Sequence, residues 1–240
     1  MSRAFEEIDH QSTPLGDISL RRRLEPVLQV DVWEVKLGDE FLMSSLFTAS
    51  EEAVATLGLE ACRGTDLDVV VGGLGLGYTA VTALADERVI RLQVIEALPE
   101  VIGWHRDGLV PLGAELTADT RCTLRHDDFF AAVEVGIEPD QRGGSRRFDA
   151  ILVDIDHTPS HHLHASNASF YGPAGFGRVR DQLQPGGVFA LWSDDPPDAD
   201  FEALMGESFA SVAAHVVSFP NHYTGGESAC TVYVALAPDR

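Results

Sequence analysis

Val69-Val70-Val71-Gly72-Gly73-Leu74-Gly75-Leu76-Gly77 is an unbroken apolar run that ends in closely spaced glycines, and a helical stretch from Tyr78 to Ala85 follows at once. Such a run predicts a strand buried on both faces, the signature of a parallel sheet covered by helices. Glycines at its end let the chain turn sharply and let a ligand approach the backbone. A dinucleotide fingerprint reads G-x-G-x-x-G, whereas Gly73, Gly75 and Gly77 give G-x-G-x-G. This spacing disfavours a nicotinamide dehydrogenase and points to a nucleoside thioether such as S-adenosylmethionine, with Gly72 part of the same turn.

Outward from this turn, similar runs recur between helical segments: RLQVIEA at 91–97, FDAILVDID at 148–156, GGVFALWS at 186–193 and a weaker CTLRHDD at 122–128. A final pair, HVVSFP at 215–220 and CTVYVALA at 230–237, suits an antiparallel edge. The pattern predicts a doubly wound, mostly parallel α/β sheet. Upstream, ISLRRRL, VLQVDVWEVKL and EFLMSS alternate apolar with polar residues around a Gly38-Asp39 turn, which predicts antiparallel hairpins. Thr48 to Leu59 reads as a helix, with Thr48 or Ser50 as N-cap. The expected organisation is a flexible arm over 1–16, a β-hairpin domain over 17–47 and a nucleotide-binding α/β domain over 48–240. EPDQRGGSRR at 138–147 reads as a solvent loop.

Carboxylates at strand ends supply the candidate chemistry. Glu96 closes the strand after the glycines, where doubly wound folds place an acid against ribose hydroxyls. Asp127 closes the next strand and can accept a hydrogen bond from an adenine amino group, with Asp128 beside it as a second acceptor or a helix cap. Asp154 ends the fourth strand and should face the reacting group, with Asp156 two residues on. Acids there can bind a cation or hold an amine while it loses a proton, and His157 could act as a general base. The histidines at 157, 161, 162 and 164 fit no standard ligand spacing, so no metal is expected. Trp104 and Trp192 are candidates for core packing, Trp192 also for a pocket wall.

These residues taken together, the chain resembles the spermidine synthase family of polyamine aminopropyltransferases. The resemblance runs from about Ser19 to Phe209 through DVVVGGLGLG, VIEALPEVIGW, HDDFF, FDAILVDIDHTPSHHLHASNASFYG and LQPGGVFALWS. It implies a seven-stranded sheet of the class I methyltransferase type behind an N-terminal β-hairpin domain. It also implies S-adenosylmethionine or its decarboxylated form as cofactor, a small amine acceptor and a homodimer. By this resemblance Gly73, Gly75, Glu96, Asp127 and Asp154 fall on nucleotide and reaction-centre positions. The family's glycine turn usually reads G-G-G-D-G-G, and here Gly75 stands at the aspartate's place. Its D-S-x-D-P motif is replaced by Asp154-Ile155-Asp156-His157-Thr158-Pro159, and its His-Glu pair by Met43-Ser44-Ser45-Leu46-Phe47. The expected activity is transfer of a methyl or aminopropyl group to an amine. The alternative is a catalytically silent relative that binds a nucleotide as a regulatory subunit.

Composition sets the outer bounds. In 240 residues, 45% hydrophobic content is enough for a sizeable core and excludes disorder or a collagen-like chain. A formal net charge of −21 repels phosphate backbones and argues against nucleic acid. Three scattered cysteines, Cys62, Cys122 and Cys230, suggest reduced thiols in a cytoplasmic protein. No apolar stretch is long enough to span a bilayer.

Overall fold

A computed structural model describes residues 5–138 and 146–239. Four antiparallel strands come first, in sequential order: β1 (Phe5–Thr13), β2 (Gly16–Glu25), β3 (Val30–Leu37) and β4 (Glu40–Ser44). Alternation drives Ile18, Leu20 and Val35 inside on one face, and Gly38, with φ at 57°, makes the expected β3–β4 turn. The flexible arm expected over 1–16 is corrected: residues 5–13 are strand β1. That strand lies at a sheet edge and is largely open to solvent, so it needs no apolar alternation and left no such signal. Backbone pairing with β2 and the cross-strand pair Glu6–Arg22 at 3.0 Å hold it.

The remaining chain alternates as the apolar runs require. The order is α1 (Ala49–Ala61), β5 (Leu67–Gly72), α2 (Tyr78–Ala85), β6 (Val89–Glu96), α3 (Pro99–Arg106), α4 (Gly113–Ala118), β7 (Cys122–His126), α5 (Phe129–Val135), β8 (Phe148–Val153), α6 (Pro173–Asp181), β9 (Leu183–Ser193), α7 (Ala199–Gly206), β10 (Ser211–Asn221) and β11 (Gly226–Leu236). The seven strands line up as β10-β11-β9-β8-β5-β6-β7, with β7, β6, β5, β8 and β9 parallel and the β10–β11 hairpin antiparallel at one edge.

Period two splits each strand between two cores. Val69, Val71, Ala150 and Leu152 join α1 to α4, and Val70, Ile151 and Val153 join the phenylalanine-rich layer of α5 to α7. Ile18, Leu20 and Val35 belong to the first of these cores, so the N-terminal sheet is packed into the main body. Two indoles fasten it further, Trp104 donating to Asp9 at 2.6 Å and Trp33 to the Leu109 carbonyl at 3.1 Å. Most of the loop read at 138–147 lies outside the described residues. The three cysteines are free, and burial pushes their thiols up, Cys62 to about 12 and the other two to about 11. No described helix is long and apolar enough to cross a membrane.

Candidate active site

Strand β5 lies between β6 and β8, so connections leave its two sides in opposite directions and a crevice opens at the carboxyl ends of the strands. A cavity of about 670 Å³ fills that crevice. Its floor comes from the ends of β5, β6, β7, β8 and β9 through Gly73, Glu96, His126, Asp154 and Trp192. Its roof includes Pro14 and Leu15 from the β1–β2 turn and Phe41, Leu42 and Met43 from β4. The segment expected to be an arm therefore helps to close the site.

Gly73 and Gly75 line the cavity, and both adopt φ values that disfavour a side chain, 93° and 48°. A Cβ at Gly73 would strike the Asp154 carbonyl, and one at Gly75 would strike the Met43 thioether. Gly72 and Gly77 do not line the cavity. Their missing side chains leave room for Phe129 and for Leu116 with His105, respectively, so both serve packing. The amides of the turn are already engaged. Gly73 donates to the Ile95 carbonyl at 3.0 Å, Leu74 to Glu96 Oε2 at 3.0 Å, Leu76 to Met43 Sδ at 3.1 Å and Gly77 to the Leu74 carbonyl at 2.8 Å.

Two supports of this turn left no pattern in the sequence. One is Met43, whose sulfur caps Leu76 from the N-terminal sheet. The other is His105, fully buried on α3, whose Nε2–H donates to the Gly75 carbonyl at 2.8 Å while Nδ1 has no partner. That geometry requires the neutral ring, and burial holds its pKa below the usual imidazole value.

Glu96 enters the cavity at the end of β6. Its Oε2 accepts from Leu74 and its Oε1 from Leu98 at 2.9 Å, which fixes the carboxyl group and leaves lone pairs for a ligand. Burial raises its pKa, and the amides work against that rise. Asp128 lines the cavity and also caps α5, accepting from Phe130 at 2.9 Å and Ala131 at 3.2 Å. Asp127 is not among the lining residues, and its carboxylate pairs with Arg125. The structure thus brings Asp128 to the site and turns Asp127 aside.

Asp154 lines the cavity at the end of β8, where Thr79 of α2 donates to it at 3.2 Å. Burial raises its pKa to about 6. Glu51, in the first turn of α1, faces the same cavity; burial first, and then the Asp154 charge, raises it to about 7. Glu51 escaped the sequence reading because an acid in a helix's first turn has an ordinary explanation in the helix dipole.

Asp156 was expected beside Asp154 in the reaction centre. It is instead 2% exposed and absent from the cavity wall, because it anchors the following loop. It accepts from the Leu163 amide at 2.6 Å, from Asn167 Nδ2 at 2.9 Å and from the Tyr171 hydroxyl at 2.9 Å. His157 does line the cavity, with Nε2 3.6 Å from Glu40 and its ring 5.0 Å from that of His161. His162 stacks on Tyr171 at 4.9 Å, and His164 caps a short 3₁₀ turn at Ala165–Ser169. Among the described residues no group of three or more His, Cys, Asp or Glu is placed to hold a metal. Trp192 walls the cavity, and its buried Nε1 has no hydrogen-bond partner.

The lining has one overall bias. Glu51, Glu96, Glu100, Asp128 and Asp154 face the cavity, and among the described residues no lysine or arginine does. Glu100 Oε2 is buried there without a partner. Such a cavity favours a ligand with positive charge and hydrogen-bond donors, and it opposes an anion.

No family model matches the chain. Among solved structures it is similar to a spermidine synthase in complex with the transition-state analogue AdoDATO, with a TM-score of 0.74, 16% identity, and cover of 98% of this chain and 74% of that one. It is similar to the spermidine synthase from Thermotoga maritima to the same extent in identity and cover, with a TM-score of 0.73. At this identity the likeness establishes the fold, a spermidine-synthase-like arrangement of the class I methyltransferase type with its separate N-terminal sheet.

Proposed function

We propose that this chain is a transferase that binds a sulfonium nucleoside, decarboxylated S-adenosylmethionine in preference to S-adenosylmethionine, and moves its alkyl group to a small amine. The observation that carries this reading is the cavity lining, which among the described residues has five carboxylates and no lysine or arginine. S-adenosylmethionine brings a carboxylate of its own. Here that group meets no lysine or arginine among the described residues, and the amides of Gly73, Leu74, Leu76 and Gly77 are already committed. Removing the carboxylate leaves a ligand with net positive charge, which suits the lining. The family of the similar structures gives the reading independent support.

The residues present fit such a nucleoside. In this reading Glu96, its carboxyl group held by two amides, accepts from ribose hydroxyls, and Asp128, which lines the cavity after β7, accepts from an adenine amino group. When bound, the nucleoside supplies an electrophilic carbon on a sulfonium, whose departure as a neutral thioether takes the electron pair of the broken bond. The protein's part is alignment and proton removal. Asp154 takes a proton from the acceptor's ammonium group, freeing the nitrogen lone pair that forms the new carbon–nitrogen bond. In this reading His157, which lines the same cavity beside Glu40, carries that proton toward solvent.

The test is turnover. Purified protein is incubated with decarboxylated S-adenosylmethionine and a panel of mono- and diamines, and methylthioadenosine is quantified. The reading expects amine-dependent release that Asp154→Asn reduces at least about a hundredfold, in line with loss of a general base. Cofactor binding without release for any amine would instead favour a silent nucleotide-binding relative.

A further inference from the structure

Glu51 has no place in the transfer step as described, yet it faces the reacting end of the cavity from the first turn of α1. Its surroundings are specific. Ser50 Oγ donates to Glu51 Oε2 at 2.7 Å, and the Thr79 hydroxyl lies 3.1 Å from the Glu51 carbonyl and 3.2 Å from Asp154 Oδ2. One threonine thus ties the start of α1 to the end of β8, and the two acids to one end of the cavity.

Among the described residues no lysine or arginine balances them. The titratable groups around the pair are Glu52 on α1, Tyr78 on α2, Tyr171 before α6, Cys230 on β11 with Asp194 beside it, and His157 in the cavity wall after β8. Among them only His157 can become cationic, and it lies against Glu40. Two carboxylates in a largely apolar cavity repel each other and are poorly solvated, so one is kept neutral by a proton until a cation arrives.

We propose that Glu51 and Asp154 share a single proton and together form the seat of the acceptor's ammonium group, releasing that proton to solvent when the cation binds. This rests on the transferase reading and deepens it. Glu51 is a positioning and charge-matching residue, and Asp154 remains the base. The consequence is a site that measures charge. A neutral isostere of the amine cannot displace the proton, and it leaves the charge of the remaining carboxylate uncompensated. Proton loss on binding then leaves Asp154 ionised and ready to accept the acceptor's own proton.

The experiment is calorimetric titration of 1,3-diaminopropane, with n-butanol as the uncharged control, into wild-type protein at pH 6.5, with and without methylthioadenosine, in two buffers of different ionisation enthalpy. Wild type should release roughly half a proton or more per amine bound, since one site titrates across this pH. Glu51→Gln should abolish that release and weaken the amine about tenfold, while methylthioadenosine binding stays unchanged. In parallel, ¹³C shifts of the side-chain carboxyls in wild type should show two groups titrating in separate steps across pH 5–8, a readout independent of any variant. Equal proton release in wild type and Glu51→Gln, no amine binding, or two carboxyls titrating together below pH 5 would each overturn the proposal. Proton-linked amine binding in a protein that binds no methylthioadenosine would leave the proposal standing and sink the nucleoside reading.

Discussion

At the scale of single residues, the site depends on backbone groups held by side chains that come from far away in sequence. Glu96→Ala removes the acceptor of two amides and the proposed ribose contact. Its expected effects are a loss of about tenfold or more in methylthioadenosine affinity and about 1–3 kcal/mol of stability, read by calorimetry and by denaturant titration. Gly75→Ala would place a methyl group against Met43 at a positive φ, so it should destabilise by about 1 kcal/mol or more and weaken the same nucleoside. If Gly75→Ala behaves as wild type, the close approach of Met43 is not the resting arrangement. Glu96 and Asp154 could be set at the cavity from the sequence because each stands where an unbroken apolar run ends. Asp156 and Asp127 could not, because a carboxylate two residues from the crevice, or one residue before it, turns its side chain according to loop geometry that no spacing encodes.

Among the elements, β1 shows most directly how a strand can form without a sequence signature. An edge strand is held by backbone pairing, and its side chains are free to be polar. Its tie to the body is the Trp104–Asp9 hydrogen bond, and its turn carries Pro14 and Leu15 into the cavity wall. Asp9→Ala should cost about 1 kcal/mol or more, because it leaves a buried indole donor unpaired. Hydrogen exchange should show faster opening of 5–25 in that variant and weaker nucleoside binding. Unchanged protection there would mean that the core residues of β2 and β3 alone hold the sheet. The parallel strands, by contrast, were readable from their unbroken apolar runs, since burial on both faces leaves no room for polar alternation.

For the whole molecule, charge is the organising quantity. A chain of net charge −21 encloses a cavity whose own lining adds negative charge, so its ligands should be cations and their binding should weaken as salt rises. The buried acids also tie stability to pH. Glu51 rises from 4.5 to about 7 and Asp154 from 3.8 to about 6, so the folded state holds more protons than the unfolded state between those values. Their contribution is complete below about pH 4 and is lost as pH climbs to 7. Thermal denaturation of the ligand-free protein should follow that slope, and Glu51→Gln should flatten it. A stability that rises over the same interval would mean that the two acids are ionised throughout.

The central claim is that this site takes a sulfonium nucleoside stripped of its carboxylate. Side-by-side calorimetric titration of decarboxylated S-adenosylmethionine and S-adenosylmethionine at pH 7.5 and low salt tests it most directly. The decarboxylated form should bind at least about tenfold more tightly, because an uncompensated carboxylate in this cavity costs more than about 1.4 kcal/mol. Equal affinity, or a preference for S-adenosylmethionine, would contradict it.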